Sequence, residues 1–135
     1  MSEFNFKSAI CTSIEQSERL LALGLKKETA DMWYPHFAKT CPIPLMGEVL
    51  TTDDTPAWSL GRLIKDLMPQ SIGHLELAVG NNYAGYYEDR YNSELGMHWE
   101  YAEETPDMFD NIISTIEWLI KNEYFNKEYV ENGDN

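Results

Sequence analysis

The stretch LELAVGNNYAGYYEDRYNSELGMHWEY, residues 75–101, carries the period-2 signature of β-strands. Leu75, Leu77 and Val79 alternate with His74, Glu76 and Ala78, so one face is apolar and the other wet. Gly80-Asn81-Asn82 predicts a hairpin turn, because Gly and Asn tolerate positive φ. Tyr83 to Tyr91 reads as a second strand, Asn92 to Gly96 as another turn, and Met97 to Tyr101 as a third strand. The whole predicts an antiparallel meander whose inner face holds Leu75, Leu77, Val79, Trp99 and Tyr101.

Helical signals flank this meander. Thr12-Ser13-Ile14-Glu15 has the form of a capping box, and the helix it opens runs to about Leu23 before Gly24. Thr55 as cap and Pro56 at the first position predict a helix over 56–67, with Leu60, Leu63, Ile64 and Leu67 on one side. Thr105 and Pro106 open a last helix with Phe109, Ile112, Ile113, Ile116, Leu119 and Ile120 in one stripe. Met32-Trp33-Tyr34 reads as extended, and Gly47-Glu48-Val49-Leu50 as a short strand in a punctuated segment. Together these predict an α+β fold: an antiparallel meander of about three or more strands packed against two to three helices.

The length of 135 residues predicts a single domain over 1–135, with 1–9 and 126–135 poorly ordered. Such a chain buries roughly two-thirds of its unfolded surface, enough for a core without disulfide or metal. Cys11 and Cys41 are expected as free thiols. The N-terminus has no apolar block of signal-peptide type and no segment reaches membrane-span length, so a cytoplasmic protein with no membrane contact is expected.

The net charge is −13, unevenly placed. Residues 1–87 hold ten acids and seven bases, whereas 88–135 hold thirteen acids and only Arg90, Lys121 and Lys127. A field of that sign disfavours direct nucleic-acid binding and can steer a basic partner.

Candidate chemistry is sparse. His74 with Glu76, and His98 with Glu100, are spaced to share a strand face and form a weak candidate metal set. Their alternation equally suits solvated polar positions. His36 and Cys41 form a candidate thiol–imidazole pair. The acids Glu88, Asp89, Glu94, Glu100, Glu103 and Glu104 offer partners for a carboxylate pair. There is no phosphate-loop, dinucleotide or nucleophile-elbow motif, and no cofactor is expected.

Aromatics are more telling. Tyr86 and Tyr87 must point to opposite faces of one strand, so both cannot sit in one core. Tyr83, Tyr86, Tyr87 and Tyr91, with Glu88 and Asp89, are therefore the candidate partner-binding residues.

The segments Cys11-Thr12-Ser13, Glu15-Gln16-Ser17, Arg19-Leu20-Leu21, Leu23-Gly24-Leu25, Thr29-Ala30-Asp31-Met32, Pro56-Ala57-Trp58-Ser59-Leu60 and Thr105-Pro106 through Glu117-Trp118-Leu119 carry a likeness. Over most of residues 11–120 the chain resembles a family of small uncharacterised proteins of gut Bacteroides-type bacteria, their phages and mobile elements. That family has no established activity, so the resemblance transfers no functional residue. It implies a setting, that of an intracellular, prophage-borne accessory protein.

The leading expectation is a non-enzymatic binding or accessory protein meeting a basic protein through an acidic, Tyr-rich surface. The rival is a small enzyme or ligand-binding domain with its site between the sheet and the 56–67 helix. Pairing of a Tyr-rich edge strand with its copy, giving a homo-oligomer, is the third reading.

Overall fold

A computed structural model describes residues 8–89 and 97–131. Helix α1 spans Ile14–Ala22, and three short strands follow: β1 Met32–Tyr34, β2 Ile43–Pro44 and β3 Thr55–Ala57. A widened helical stretch covers Arg62–Leu67. Then come β4 Ser71–Ile72, β5 Leu75–Gly80, β6 Tyr83–Asp89, β7 Met97–Glu103 and helix α2 Met108–Lys121. The strands form two antiparallel sheets, ordered β2-β1-β3 and β4-β5-β6-β7. The fold is α+β, and β5-β6-β7 is the expected meander.

The β5–β6 hairpin turns at Asn81-Asn82, with Gly80 opposite Tyr83 and Leu75 opposite Glu88. One face of the sheet takes α2. Phe109, Ile112, Ile113, Ile116 and Leu119 are buried there against Ala84 and Tyr86, with Leu75, Leu77 and Val79 packed beside them. Each such side chain contributes roughly 1.5–3 kcal/mol when fully buried. Trp118 of α2 stacks on Tyr101 at 5.1 Å and on Tyr86 at 5.7 Å between ring centroids.

Several boundaries differ from the sequence reading, each for a local reason. The capping box belongs to Ser13 and Gln16, one residue later than expected. Thr12 is buried instead, accepting from the Trp58 N–H at 3.1 Å while its own N–H donates to the Trp58 carbonyl at 2.9 Å. Thr55 and Pro56 are in a strand, not a helix, with Pro56 opposite Trp33. An edge strand tolerates a residue without an N–H, and proline pushes the residue before it toward extended backbone. The helical turn is started by Ser59, whose Oγ accepts from the Arg62 N–H at 3.2 Å. Asp31 holds Ser59 in place by accepting from its N–H at 2.8 Å and from its hydroxyl.

Residues 47–50 form no strand; Ile43–Pro44 pairs with β1 in their place. Asp107 caps α2, accepting from Phe109 and Asp110 N–H, while Thr105 hydrogen-bonds Asn111. The segment 126–131, expected to fray, is docked: Lys26 N–H donates to Tyr129 at 2.8 Å and Glu131 N–H to Gly24 at 2.6 Å.

The correction with most consequence lies in β7. Tyr101 opposes Tyr86, but Trp99 opposes Tyr87, so Glu100 is an extra residue in the ladder. This β-bulge reverses the alternation between Trp99 and Tyr101. Tyr101 keeps the expected inner face, and Trp99 moves to the outer one.

Candidate functional site

The outer face of the four-stranded sheet is built by register. Positions Glu76, Ala78 and Gly80 of β5 lie opposite Tyr87, Gly85 and Tyr83 of β6, and these in turn meet Trp99 and Ala102 of β7. Small residues along the middle, Ala78, Gly85 and Ala102, leave the large rings standing above the sheet. Gly85 is required for the close approach of β6 to β7. A methyl there would overlap the Tyr101 carbonyl oxygen and lie 2.8 Å from the Ala102 Cα.

Three aromatic rings form one group on this face. Trp99 lies 5.9 Å from Tyr83 at 75°, and 5.7 Å from Tyr87 at 56°. Tyr83 is 37 % exposed and Trp99 36 %. The Tyr87 hydroxyl donates to Glu76 at 3.1 Å, which brings a carboxylate to the edge of the group. Asn82, Tyr83, Trp99, Ala102 and Glu104 line a hollow of about 320 Å³ at its other end. No Lys or Arg occurs from residue 66 to residue 120 except Arg90. The rings therefore stand in an acidic field.

The expected partner-binding residues divide. Tyr83 and Tyr87 are on the outer face. Tyr86 is fully buried, its hydroxyl donating to the Pro69 carbonyl at 2.6 Å, and burial pushes its phenol above the ordinary range. It is a core residue and leaves the set. Glu88 lies on the Tyr86 side of β6, opposite His98. Asp89 pairs with Met97 through the backbone; its side chain, and the whole of Tyr91, lie outside the described residues, as does Glu94. Trp99 joins the group because of the bulge. The signal that points to it is Gly85, a strand-interior glycine of the kind that marks a bulge or a close backbone approach.

The weak metal set does not assemble. His74 sits in the Gly73-His74 turn rather than on β5. Strand β6 separates β5 from β7, which puts His74 and Glu76 two strand spacings from His98 and Glu100, about 10 Å. Among the described residues no group of three or more His, Cys, Asp or Glu is placed to hold a metal. His36 pairs through Nδ1 with Asp54 at 2.9 Å, and the Cys41 sulfur lies 3.7 Å from the Thr40 hydroxyl. Cys11 is buried, and desolvation raises its thiol, the opposite of activation. Both cysteines are free thiols.

The junction proposed for an enzyme site, between the sheet and residues 56–67, is filled by Leu63, Leu67, Met68 and Tyr86 of the core. A second hollow, of about 370 Å³, is lined by Lys27, Glu28, Leu45, Gly47, Glu48, Val49 and Leu50, with charges of both signs. No helix among the described residues is long and apolar enough to cross a membrane. Compared with known proteins, the chain matches no family model, no curated protein and no solved structure.

Proposed function

We propose that the chain is a non-enzymatic binding module that docks a basic protein segment on the outer face of its four-stranded sheet, through Tyr83, Tyr87 and Trp99. The observation that carries this reading is the exposed ring group itself. The bulge at Glu100 turns Trp99 onto the face of Tyr83 and Tyr87, in a part of the chain almost empty of Lys and Arg. Aromatic rings attract cations through their negative faces, and acids around them strengthen that attraction. A work setting in a gut Bacteroides-type bacterium or its phage belongs to the same proposal.

Charge argues against a second copy of this chain as the occupant, since two such acidic faces repel. The edge of β7 is also a poor template for strand addition. It carries the Glu100 bulge and Glu103, devices that blunt an edge. A partner is therefore expected to lie across the face rather than extend the sheet.

The test is titration of the protein with a twelve-residue Lys/Ser peptide, with affinity read by calorimetry in every variant and indole signals locating the contact in the wild type. Trp58 is fully buried, Trp33 nearly so, and the half-buried Trp118 stacks on Tyr86 and Tyr101 on the opposite side of the sheet, which makes Trp99 the reporter of the outer face. Binding should weaken as ionic strength rises through about 0.15 M. Trp99→Ala and Tyr87→Ala should each weaken it by about 0.5–2 kcal/mol. Affinity unchanged in both variants would remove the reading.

A further inference from the structure

The hollow at the Tyr83 end of the ring group has a more specific construction than the face around it. Its two aromatic walls, Tyr83 and Trp99, stand nearly at right angles, 75° apart, with centroids separated by 5.9 Å. Ala102 contributes little bulk, Glu104 brings a carboxylate and Asn82 an amide. Tyr83 is seated by Gly80. A methyl on Gly80 would overlap the ring at Cε1 and lie 2.6 Å from its Cζ. Absence of a side chain at Gly80 is thus what lets the ring lie down beside the hollow.

Two perpendicular rings and a carboxylate around one space suit a flat cation. A guanidinium can lie on the face of one ring, meet the other edge-on and donate N–H bonds to the carboxylate. It is more weakly hydrated than an ammonium and stacks on aromatic faces as an ammonium does not. An apolar side chain would leave Glu104 without a cationic partner there, and an anion would be repelled by it.

We propose that the hollow of Asn82, Tyr83, Trp99, Ala102 and Glu104 is a socket for one arginine side chain of the basic partner. The inference rests on the docking face described above and names the residue that face selects. The guanidinium lies in the corner that Trp99 and Tyr83 form, on the face of one ring and edge-on to the other, Glu104 accepts its N–H groups, and Gly80 positions Tyr83.

The test compares two twelve-residue peptides of equal charge, a Lys/Ser peptide and the same peptide with one central Lys replaced by Arg. Each is titrated against the wild type and against Gly80→Ala, Glu104→Gln and Tyr87→Ala, with folding checked by far-UV circular dichroism. The arginine peptide should bind the wild type about three- to thirty-fold more tightly than the lysine peptide. That preference should fall to within twofold in Gly80→Ala and in Glu104→Gln, while both peptides still bind. A wild-type preference within twofold, or one unchanged in both socket variants, overturns the socket. If Tyr87→Ala then still weakens both peptides, the docking face stands without it. If neither peptide binds the wild type at low salt, the face and the socket fall together.

Discussion

The ring of Tyr83 lies across Gly80, its cross-strand neighbour, so closely that a methyl group on Gly80 would sit 2.8 Å from the ring's Cδ1 and overlap Cε1. The obstacle is the far end of a side chain, and it can swing away. Gly80→Ala should therefore leave stability within about 1 kcal/mol of the wild type, since alanine recovers some backbone entropy in a strand. It should nevertheless displace Tyr83 from Trp99. Denaturant unfolding should give nearly the same midpoint, while the Trp99 indole resonance shifts. An unmoved indole signal would contradict the packing described.

Gly85 makes the opposite prediction. A methyl there meets backbone, the Tyr101 carbonyl and the Ala102 Cα, which no rotamer change relieves. Gly85→Ala should destabilise the fold by about 1–3 kcal/mol or more, as overpacking does, by forcing β6 and β7 apart. Chemical denaturation checks it; a neutral Gly85→Ala would mean the strands are not this close.

Tyr86 and Tyr87 are adjacent in the chain and separated by the plane of the sheet. Tyr86→Ala should cost about 3–5 kcal/mol, the range for removing a buried aromatic side chain. Tyr87→Ala removes a cross-strand pair on the open face and should cost about 1 kcal/mol or less. Tyr86→Phe isolates the bond to Pro69 and should cost about 0.5–1.5 kcal/mol. Equal losses for the two alanine variants, by urea unfolding, would refute the assignment of faces.

Asp54 gathers its loop. Its carboxylate accepts from Thr51 N–H at 3.0 Å, and from the His36 ring and backbone N–H at 2.9 Å each. The Thr51 N–H first, then the His36 ring and N–H, hold the carboxyl well below the usual range. A depressed folded pKa contributes stability above the ordinary carboxylate value of about 4, and that contribution is lost as pH falls below it. The protection of the residue 35–54 amides, taken relative to their intrinsic exchange rate at each pH, should therefore fall in acid, below about pH 3. Asp54→Ala should produce the same loosening at neutral pH. Equal protection at both pH values would show that the carboxylate does not hold the loop.

Much of this architecture was legible in the chain because it follows from strong periodicities. Leu75, Leu77 and Val79 place β5, Gly80-Asn81-Asn82 places the hairpin, and the isoleucines from Ile112 to Ile120 place α2. The opposite facing of Tyr86 and Tyr87 needed only the pleat. What escaped were features set by tertiary contact. Thr55-Pro56 satisfies a helix-start rule, yet pairing with β1 makes it a strand. Thr12 looks like a cap until Trp58 buries it. The bulge at Glu100 has no composition of its own, and it alone decides that Trp99 joins Tyr83 and Tyr87. A sequence-level alternation carried through Glu100 puts Trp99 in the core and dissolves the ring group.

Mapping amide and indole chemical shifts of the full chain during titration with the arginine-bearing basic peptide tests the docking face most directly. The largest changes are expected at Tyr83, Tyr87, the Trp99 indole and Glu104, all on the outer face of the four-stranded sheet. Shifts concentrated instead on the loop around Gly47 to Leu50, or none at low salt, would contradict it.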